Sequence, residues 1–266
     1  MSYEAISVQF GDVGVTLGHD HVAEVELQRP PDNMVDVEFI QSLADALEHL
    51  EGTPACRAIV LCSAGKHFSA GARLGGTTDP IQESAALDQN PLYTQAVRLF
   101  TGSIPIVAAI HGAAVGAGLG IALAADIRVV APEARFAANF ARLGFHAGFG
   151  ISATLPRLVG EAVAAELLYT GRRITGEEAV ELGIGQHLVP LAEVRSRAHT
   201  IAAEIAGSAP LAVRSIRRTL RGDLPAVIEA ATRHEHCEQR ILRATSDYTE
   251  GVSAYADRRP PNFQAH

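Results

Sequence analysis

The chain has 266 residues, which suits one large domain or two small ones. Its 22 Lys and Arg against 30 Asp and Glu leave a formal charge of −8, so it carries no basic footprint for a nucleic acid and no general attraction to an anionic membrane. Hydrophobic residues make up 47% and charged residues 20%, a balance that supports a packed core and excludes a disordered chain. Aromatic residues are only 5%, Trp is absent and glycines number 24, so an aliphatic core with tight turns is expected.

In chain order, Val13–Leu17 and Val22–Leu27 read as strands joined by a turn at Gly18-His19-Asp20-His21. Pro30-Pro31-Asp32-Asn33 breaks the pattern. Val35, Phe39, Ile40, Leu43, Leu47 and Leu50 then recur at helical spacing, so residues 36–51 are expected to form an amphipathic helix. Ala58–Cys62 is a short apolar strand of the kind buried on both faces. Residues 75–92 are polar and read as a loop or short helix, followed by a helix over 93–101. Ile104–Ile110 and Ile127–Ala131 are further buried strands, with a glycine-rich turn and a small-residue helix between them. Beyond residue 151 the pattern is helical, over 161–170, 175–182, 191–206, 210–220 and 223–244. The fold class is therefore α/β, with a core over 1–200 and a helical region over 201–266.

Cys56, Cys62 and Cys237 are an odd set without metal-ligand spacing, and reduced buried thiols in a cytoplasmic protein are expected. MSYEAISVQF lacks the basic stretch and apolar run of a signal peptide. The longest apolar stretch, Ile104–Ala125, is broken by His111 and several glycines, so no membrane span is expected. His234-Glu235-His236-Cys237-Glu238 has a metal-like look, but no second cluster completes a ligand shell; it reads as a polar helix face, with no metal site.

Three glycine-centred stretches follow strand or turn signals: Ser69-Ala70-Gly71-Ala72-Arg73-Leu74, His111 through Gly120, and Leu143 through Gly150. Small residues at a strand-to-helix turn expose backbone N–H groups at the positive end of a helix, where an anion or developing oxyanion is favoured. The same residues also suit tight packing of a helix on a sheet. Gly116-Ala117-Gly118-Leu119-Gly120 is a poor dinucleotide fingerprint, because its third glycine falls one residue early.

Taken together these blocks resemble the crotonase (enoyl-CoA hydratase/isomerase) family. Ala64-Gly65-Lys66-His67-Phe68-Ser69-Ala70-Gly71-Ala72-Arg73-Leu74 is similar to its first signature, and Ile104 through Gly116-Ala117-Gly118 to Asp126 is similar to its second. Leu143-Gly144 through Gly148-Phe149-Gly150, with Leu155 to Gly160, resembles the third. Gly171 to Gly176 and Glu250-Gly251 through Phe263 resemble later family blocks. The resemblance implies a crotonase-like spiral of ββα turns with a C-terminal helical trimerisation region, a homotrimer or hexamer, and an acyl-CoA substrate. Coenzyme A enters as part of that substrate, and no separate cofactor is expected. It further implies that the backbone N–H groups of Ala72 and Ala117 hold the thioester oxygen as it gains enolate charge. Ala70, Gly71, Leu74, Gly116, Gly120 and Phe140 are the implied substrate-lining positions.

The departures are informative. Hydratases of this family use two glutamates, whose positions are here Gly120 and Phe140. Other branches carry an Asp at the position of Gly148, and the usual Asp of the Gly-Ala-Asp triplet is here Arg73. Gly and Phe cannot exchange protons, so standard hydration is expected to be weak. His146, in the third signature, is the expected substitute acid/base, against the plainer reading of a packed surface histidine. Arg73 and Lys66 could meet a carboxylate or CoA phosphates, or stay in solvent. Asp79, Glu83 and Asp88 read as a solvated loop, and His111 as structural. Two functions follow: an enzyme that stabilises a thioester enolate, or a non-catalytic acyl-CoA binding or carrier protein on the same fold.

Overall fold

The computed structural model describes residues 6–72 and 89–266. Three strands open the chain: β1 Ile6–Phe10, β2 Val13–Leu17 and β3 Val22–Leu27. Helix α1, Val37–Glu51, follows, capped by the Asp36 carboxylate, which accepts the Phe39 N–H at 2.8 Å. Next come β4 Ala58–Ser63, α2 Pro91–Arg98, β5 Ile106–Ile110 and β6 Ala113–Val115. The small-residue helix α3, Ala117–Ala124, leads to β7 Ile127–Val130 and β8 Arg135–Ala137. Helices α4 Ile151–Val159 and α5 Glu161–Thr170, strand β9 Arg173–Thr175, helix α6 Gly176–Glu181 and strand β10 His187–Leu188 come next. Four helices end the chain: α7 Val194–Ala206, α8 Pro210–Arg221, α9 Leu224–Leu242 and α10 Ser246–Ala256.

The main sheet has seven strands in the order β1-β2-β3-β4-β5-β7-β10. Its first two pairings are antiparallel, and those from β3 onward are parallel. A small second sheet, β6-β8-β9, stands apart from it. All six residues of β4 are buried because both of its faces are covered. Ile59 and Leu61 point into the large core beneath α1. Ala58, Val60 and Cys62 point the other way, with Val107 and Ala109 of β5, onto Val194, Ala198, Ile201 and Ala202 of α7.

The α/β architecture with a helical C-terminal region is as expected, and most predicted elements are found within a few residues. The sequence reading does not separate out β1, β6, β8, β9, β10, α4 or α10. The division at residue 200 falls within α7, whose apolar stripe packs on the sheet, so α7 belongs structurally with the core. Cys56 and Cys62 are buried, and burial pushes the Cys56 thiol up to about 12 and that of Cys62 higher still, so both are inert thiols. Cys237 is exposed, contrary to the expectation of three buried thiols. Among the described residues no helix is long and apolar enough to cross a membrane.

The closeness of α7 to the sheet rests on its small residues. Ala198→Leu is expected to destabilise the fold by about 1–3 kcal/mol through overpacking. Urea unfolding followed by circular dichroism checks this, and a solvent-facing control such as Glu204→Leu should change little.

Candidate active site

A cavity of about 350 Å³ lies between the N-terminus of α3, residues 70–72 beside β6 and the C-terminal helix. Its floor is backbone. The chain leaving β4 turns at Ala64–His67 and runs as an extended segment beside β6: the Ser69 N–H donates to Ala113 O at 2.8 Å, and the Val115 N–H donates to Ser69 O at 3.1 Å. On the opposite edge the Val35 N–H donates to Gly71 O at 3.0 Å. Gly71 has φ +90°, and a Cβ there would stand 2.6 Å from Val115 O and 3.8 Å from Ala117 N, so only glycine brings the two segments this close. Gly116, at φ +53°, redirects the chain from β6 into α3 and donates its own N–H to Ala137 O.

The result is that Ala72 and Ala117 both line the cavity. Neither N–H has a backbone hydrogen-bond partner among the described residues. Ala117 is the first residue of α3, where an unpartnered N–H sits at the positive end of the helix.

A buried bracket holds this floor. Asn33 is fully buried with φ +46°; its side-chain N–H groups donate to Ala64 O and His67 O, both at 2.8 Å, and its Oδ1 accepts the Arg29 N–H. The Ser69 hydroxyl donates to Asn33 O at 2.8 Å. His67 Nδ1 accepts the Ala113 N–H at 3.0 Å, and burial lowers the His67 pKa, so the ring is held neutral.

The walls are largely apolar. Met34, Leu92, Val115, Leu143 and the rings of Phe140, Phe145 and Phe149 line them, with Val252, Tyr255 and Ala256 of α10 closing one side. The Phe140 and Phe145 rings meet edge to face at 5.5 Å, and Phe145 meets Tyr248 in the same way at 5.6 Å. Tyr93, Asn139 and Tyr255 supply the polar side-chain atoms. Among the described residues no Asp, Glu, His, Lys or Arg lines the cavity.

Of the sequence-predicted positions, Ala70, Gly71, Ala72, Gly116, Ala117 and Phe140 come together here. Gly120 does not line the cavity: a Cβ on it would stand 2.3 Å from the Phe149 ring, which covers that place. His146 also lies off the cavity. Its Nδ1 is 2.8 Å from Ala147 O and its ring packs edge-on to His234 at 5.8 Å, so the expected acid/base role finds no geometric support. Lys66 is exposed on its turn, and His111 Nε2 is 3.1 Å from Gly65 O, a structural contact. Arg73, Leu74, Asp79, Glu83 and Asp88 lie outside the described residues.

Sequence reasoning missed three residues, Tyr93 in the cavity wall and Gln239 and Glu235 behind it. Tyr93 on α2 is buried, and its hydroxyl donates to Gln239 Oε1 at 2.8 Å. Gln239 is fully buried on α9. One turn earlier, Glu235 is also fully buried and caps α4: its carboxylate accepts the Gly150 and Ser152 N–H groups at 2.8 and 3.0 Å and the Ser152 hydroxyl at 2.6 Å. The expected polar face over 234–238 is therefore half core, with Glu235 and His236 both buried. The signal was present in the sequence only as a charged residue at a helical apolar position, which local pattern alone does not interpret.

The chain is similar to known proteins along most of its length. Residues 18–266 match the pattern of the enoyl-CoA hydratase/isomerase family. An (E)-benzylidenesuccinyl-CoA hydratase of Thauera aromatica is 34% identical over 252 residues, covering 92% of this chain and 96% of the relative. The crystal structure of an enoyl-CoA hydratase/isomerase from Pseudoalteromonas atlantica superposes with a TM-score of 0.82 at 26% identity, covering 95% of this chain and all of that one. An enoyl-CoA hydratase from Mycobacterium avium subsp. paratuberculosis gives 0.81 at 27% identity, covering 96% and 99%.

Burial raises the Glu235 pKa from the usual 4.5 to about 7 despite its three hydrogen bonds. The native state thus keeps a proton that the unfolded chain has released. Its contribution to stability is complete below pH 4.5 and is lost as pH rises to about 7, a span worth about 3 kcal/mol. In urea titrations the stability of the wild type relative to Glu235→Gln is expected to fall by about that amount between pH 4.5 and 8. A pH-independent difference would show that folding does not raise the Glu235 pKa.

Proposed function

The chain belongs to the enoyl-CoA hydratase/isomerase family, and on that footing we propose that it binds an acyl-CoA thioester and stabilises the enolate of its acyl group. The observation that carries this reading is that Ala72 and Ala117, whose N–H groups have no backbone partner among the described residues, line one largely apolar cavity together. A thioester oxygen accepting both would be polarised, and negative charge moving onto it from the α-carbon would meet two fixed dipoles. In comparable oxyanion holes each such donor is worth roughly 3 kcal/mol. The donors are backbone groups, so Ala instead of Gly at 117 removes nothing.

The same cavity argues against hydration by two carboxylates. That route needs a base for water and an acid for the α-carbon, and the positions implied for them hold Gly120, covered by Phe149, and Phe140, whose ring faces the cavity. An aromatic wall excludes water from the place where water would have to be held. The substrate acyl group accordingly meets hydrocarbon around its chain and hydrogen-bond donors at its carbonyl.

Two measurements test the reading. The ¹³C=O stretch of labelled butyryl-CoA is expected to move to lower wavenumber on binding, and Gly116→Ala, which penalises the φ +53° turn, should weaken both binding and shift. A carbonyl frequency unchanged from water would overturn the proposed polarisation. With crotonyl-CoA, hydration is expected at least about 100-fold below the ~10 s⁻¹ typical of enzymes, the loss that follows from removing positioned acid–base groups. Turnover at the ordinary rate would show that the described cavity is not where proton transfer is decided.

A further inference from the structure

A groove of about 1030 Å³ adjoins the cavity and shares Asn139, Tyr255 and Ala256 with it. Its lining differs in kind. Arg142, Arg173, Arg258 and Arg259 line it, and among the described residues no Asp or Glu does. Arg259 is neutralised by Glu250, which it meets at 2.6 and 2.8 Å. The side chains of Arg142, Arg173 and Arg258 have no ion-pair or hydrogen-bond partner among the described residues. The chain as a whole carries a formal charge of −8, so this local excess of positive charge is not a reflection of composition.

The small sheet sets the distance between groove and cavity. Val115 of β6, Ala137 of β8 and Arg173 of β9 are paired in one row, and residues directly opposite one another project from the same face. Val115 lines the cavity and Arg173 lines the groove, so this face runs from one to the other past Ala137. Strands lie about 4.8 Å apart, which puts the Arg173 backbone about 10 Å from Val115. The Gly116 N–H donates to Ala137 O at 2.9 Å, which ties the row to the turn that starts α3 at Ala117. Arg142 reaches the groove by a second route. Gly171 has φ +55°, and a Cβ there would stand 2.7 Å from Arg142 Cγ and 3.1 Å from Asn139 Cα. A Cβ on Gly116 would in turn stand 3.9 Å from Asn139 Oδ1.

Resting on the thioester reading above, we propose that the groove binds a carboxylate at the far end of the acyl group, so that the chain takes CoA monothioesters of dicarboxylic acids. With the thioester oxygen at Ala72 and Ala117, a short acyl chain covers the span to Arg173, whereas the phosphates of CoA lie beyond the whole pantetheine arm. Guanidinium groups suit a carboxylate because they offer it paired N–H donors in one plane. The cavity wall adds a selection by length. Phe140, Phe145 and Phe149 offer a carboxylate no partner, so a chain too short to reach the groove would bury its charge unpaired.

Calorimetric titration of the full chain with glutaryl-CoA, adipyl-CoA, their terminal methyl esters and butyryl-CoA tests this. At least one acid is expected to bind roughly tenfold more tightly than its own methyl ester, the gain of a charge-assisted pair. Raising the ionic strength should shrink that gain, because the three arginines are exposed. In the double variant Arg142→Met with Arg173→Met the ratio of acid to ester affinity should fall to about one. The comparison of acid with ester needs only the wild type and stands even where the variant folds poorly. No preference for the acid, or a preference that survives the double variant, would overturn the inference while leaving the thioester reading intact. So would a variant, folded by circular dichroism, that loses acid, ester and butyryl-CoA by the same factor, since that assigns the arginines to the phosphates of CoA. Failure of every thioester to bind would overturn both.

Discussion

The cavity depends on one seam. The segment Ser69–Ala72 is neither part of the main sheet nor a free loop; it is laced to β6 by the Ser69 and Val115 N–H groups and pinned on its other edge through Gly71 O. Those bonds use the backbone groups of Ser69 and the carbonyl of Gly71, and they leave the Ala72 N–H without a backbone partner among the described residues. At Ala117 the same end is reached differently, by starting a helix there. An unpartnered N–H is normally a liability, and here two residues whose N–H groups lack a backbone partner among the described residues line one cavity because glycines at 71 and 116 let the chain approach and turn where any side chain would collide or strain. The bracket from Asn33, with Ser69 and His67, is what keeps this arrangement rigid from below.

Given that floor, the walls decide what chemistry is available. Where the family resemblance places two glutamates, this chain stacks aromatic rings. Phe149 lies over Gly120, Phe140 packs against Phe145, and Phe145 packs in turn against Tyr248. The last of these contacts reaches the C-terminal helix, which is drawn close because Gly251 sits against the Leu143 backbone and Gly144 against Asp247. Aromatic packing at these positions and closure of the cavity by α10 are thus one packing solution. Replacing a ring by a carboxylate would not simply restore a proton carrier; it would open the contact chain that seats α10.

How much of this was legible in the sequence follows from the range of the interactions involved. Strands such as Val22–Leu27 and Ala58–Ser63, and helix Val37–Glu51, are announced by local periodicity and are found where they were expected. Strands β6 and β8 are three residues each and have no period to detect; they exist because each pairs with a neighbour already in place. The floor residues Gly71, Ala72, Gly116 and Ala117 were legible because they sit in contiguous motif blocks. His146 shares a block with cavity residues yet lies off the cavity, because membership of a block does not aim a side chain. Tyr93 and Gln239 were invisible because they are 146 residues apart and meet only in the folded chain.

That last pair also shows why α9, outside the glycine-centred blocks, belongs to the site. Its buried face presents Glu235 and Gln239 one turn apart. Glu235 takes the first N–H groups of α4, a helix whose N-cap is Gly150 and therefore has no side chain to cap itself. Gln239 takes the carbonyls of His146 and Ala147 just upstream. One helix thus satisfies both donors and acceptors of the 146–152 turn, the segment that carries Gly148 and Phe149 into the cavity. A turn so glycine-rich has little conformational preference of its own, and its shape is imposed from α9. Because Gln239 can satisfy those carbonyls only through its nitrogen, its oxygen is left to Tyr93, and the direction of the Tyr93 hydroxyl is set by a hydrogen-bonding need of the 146–152 turn.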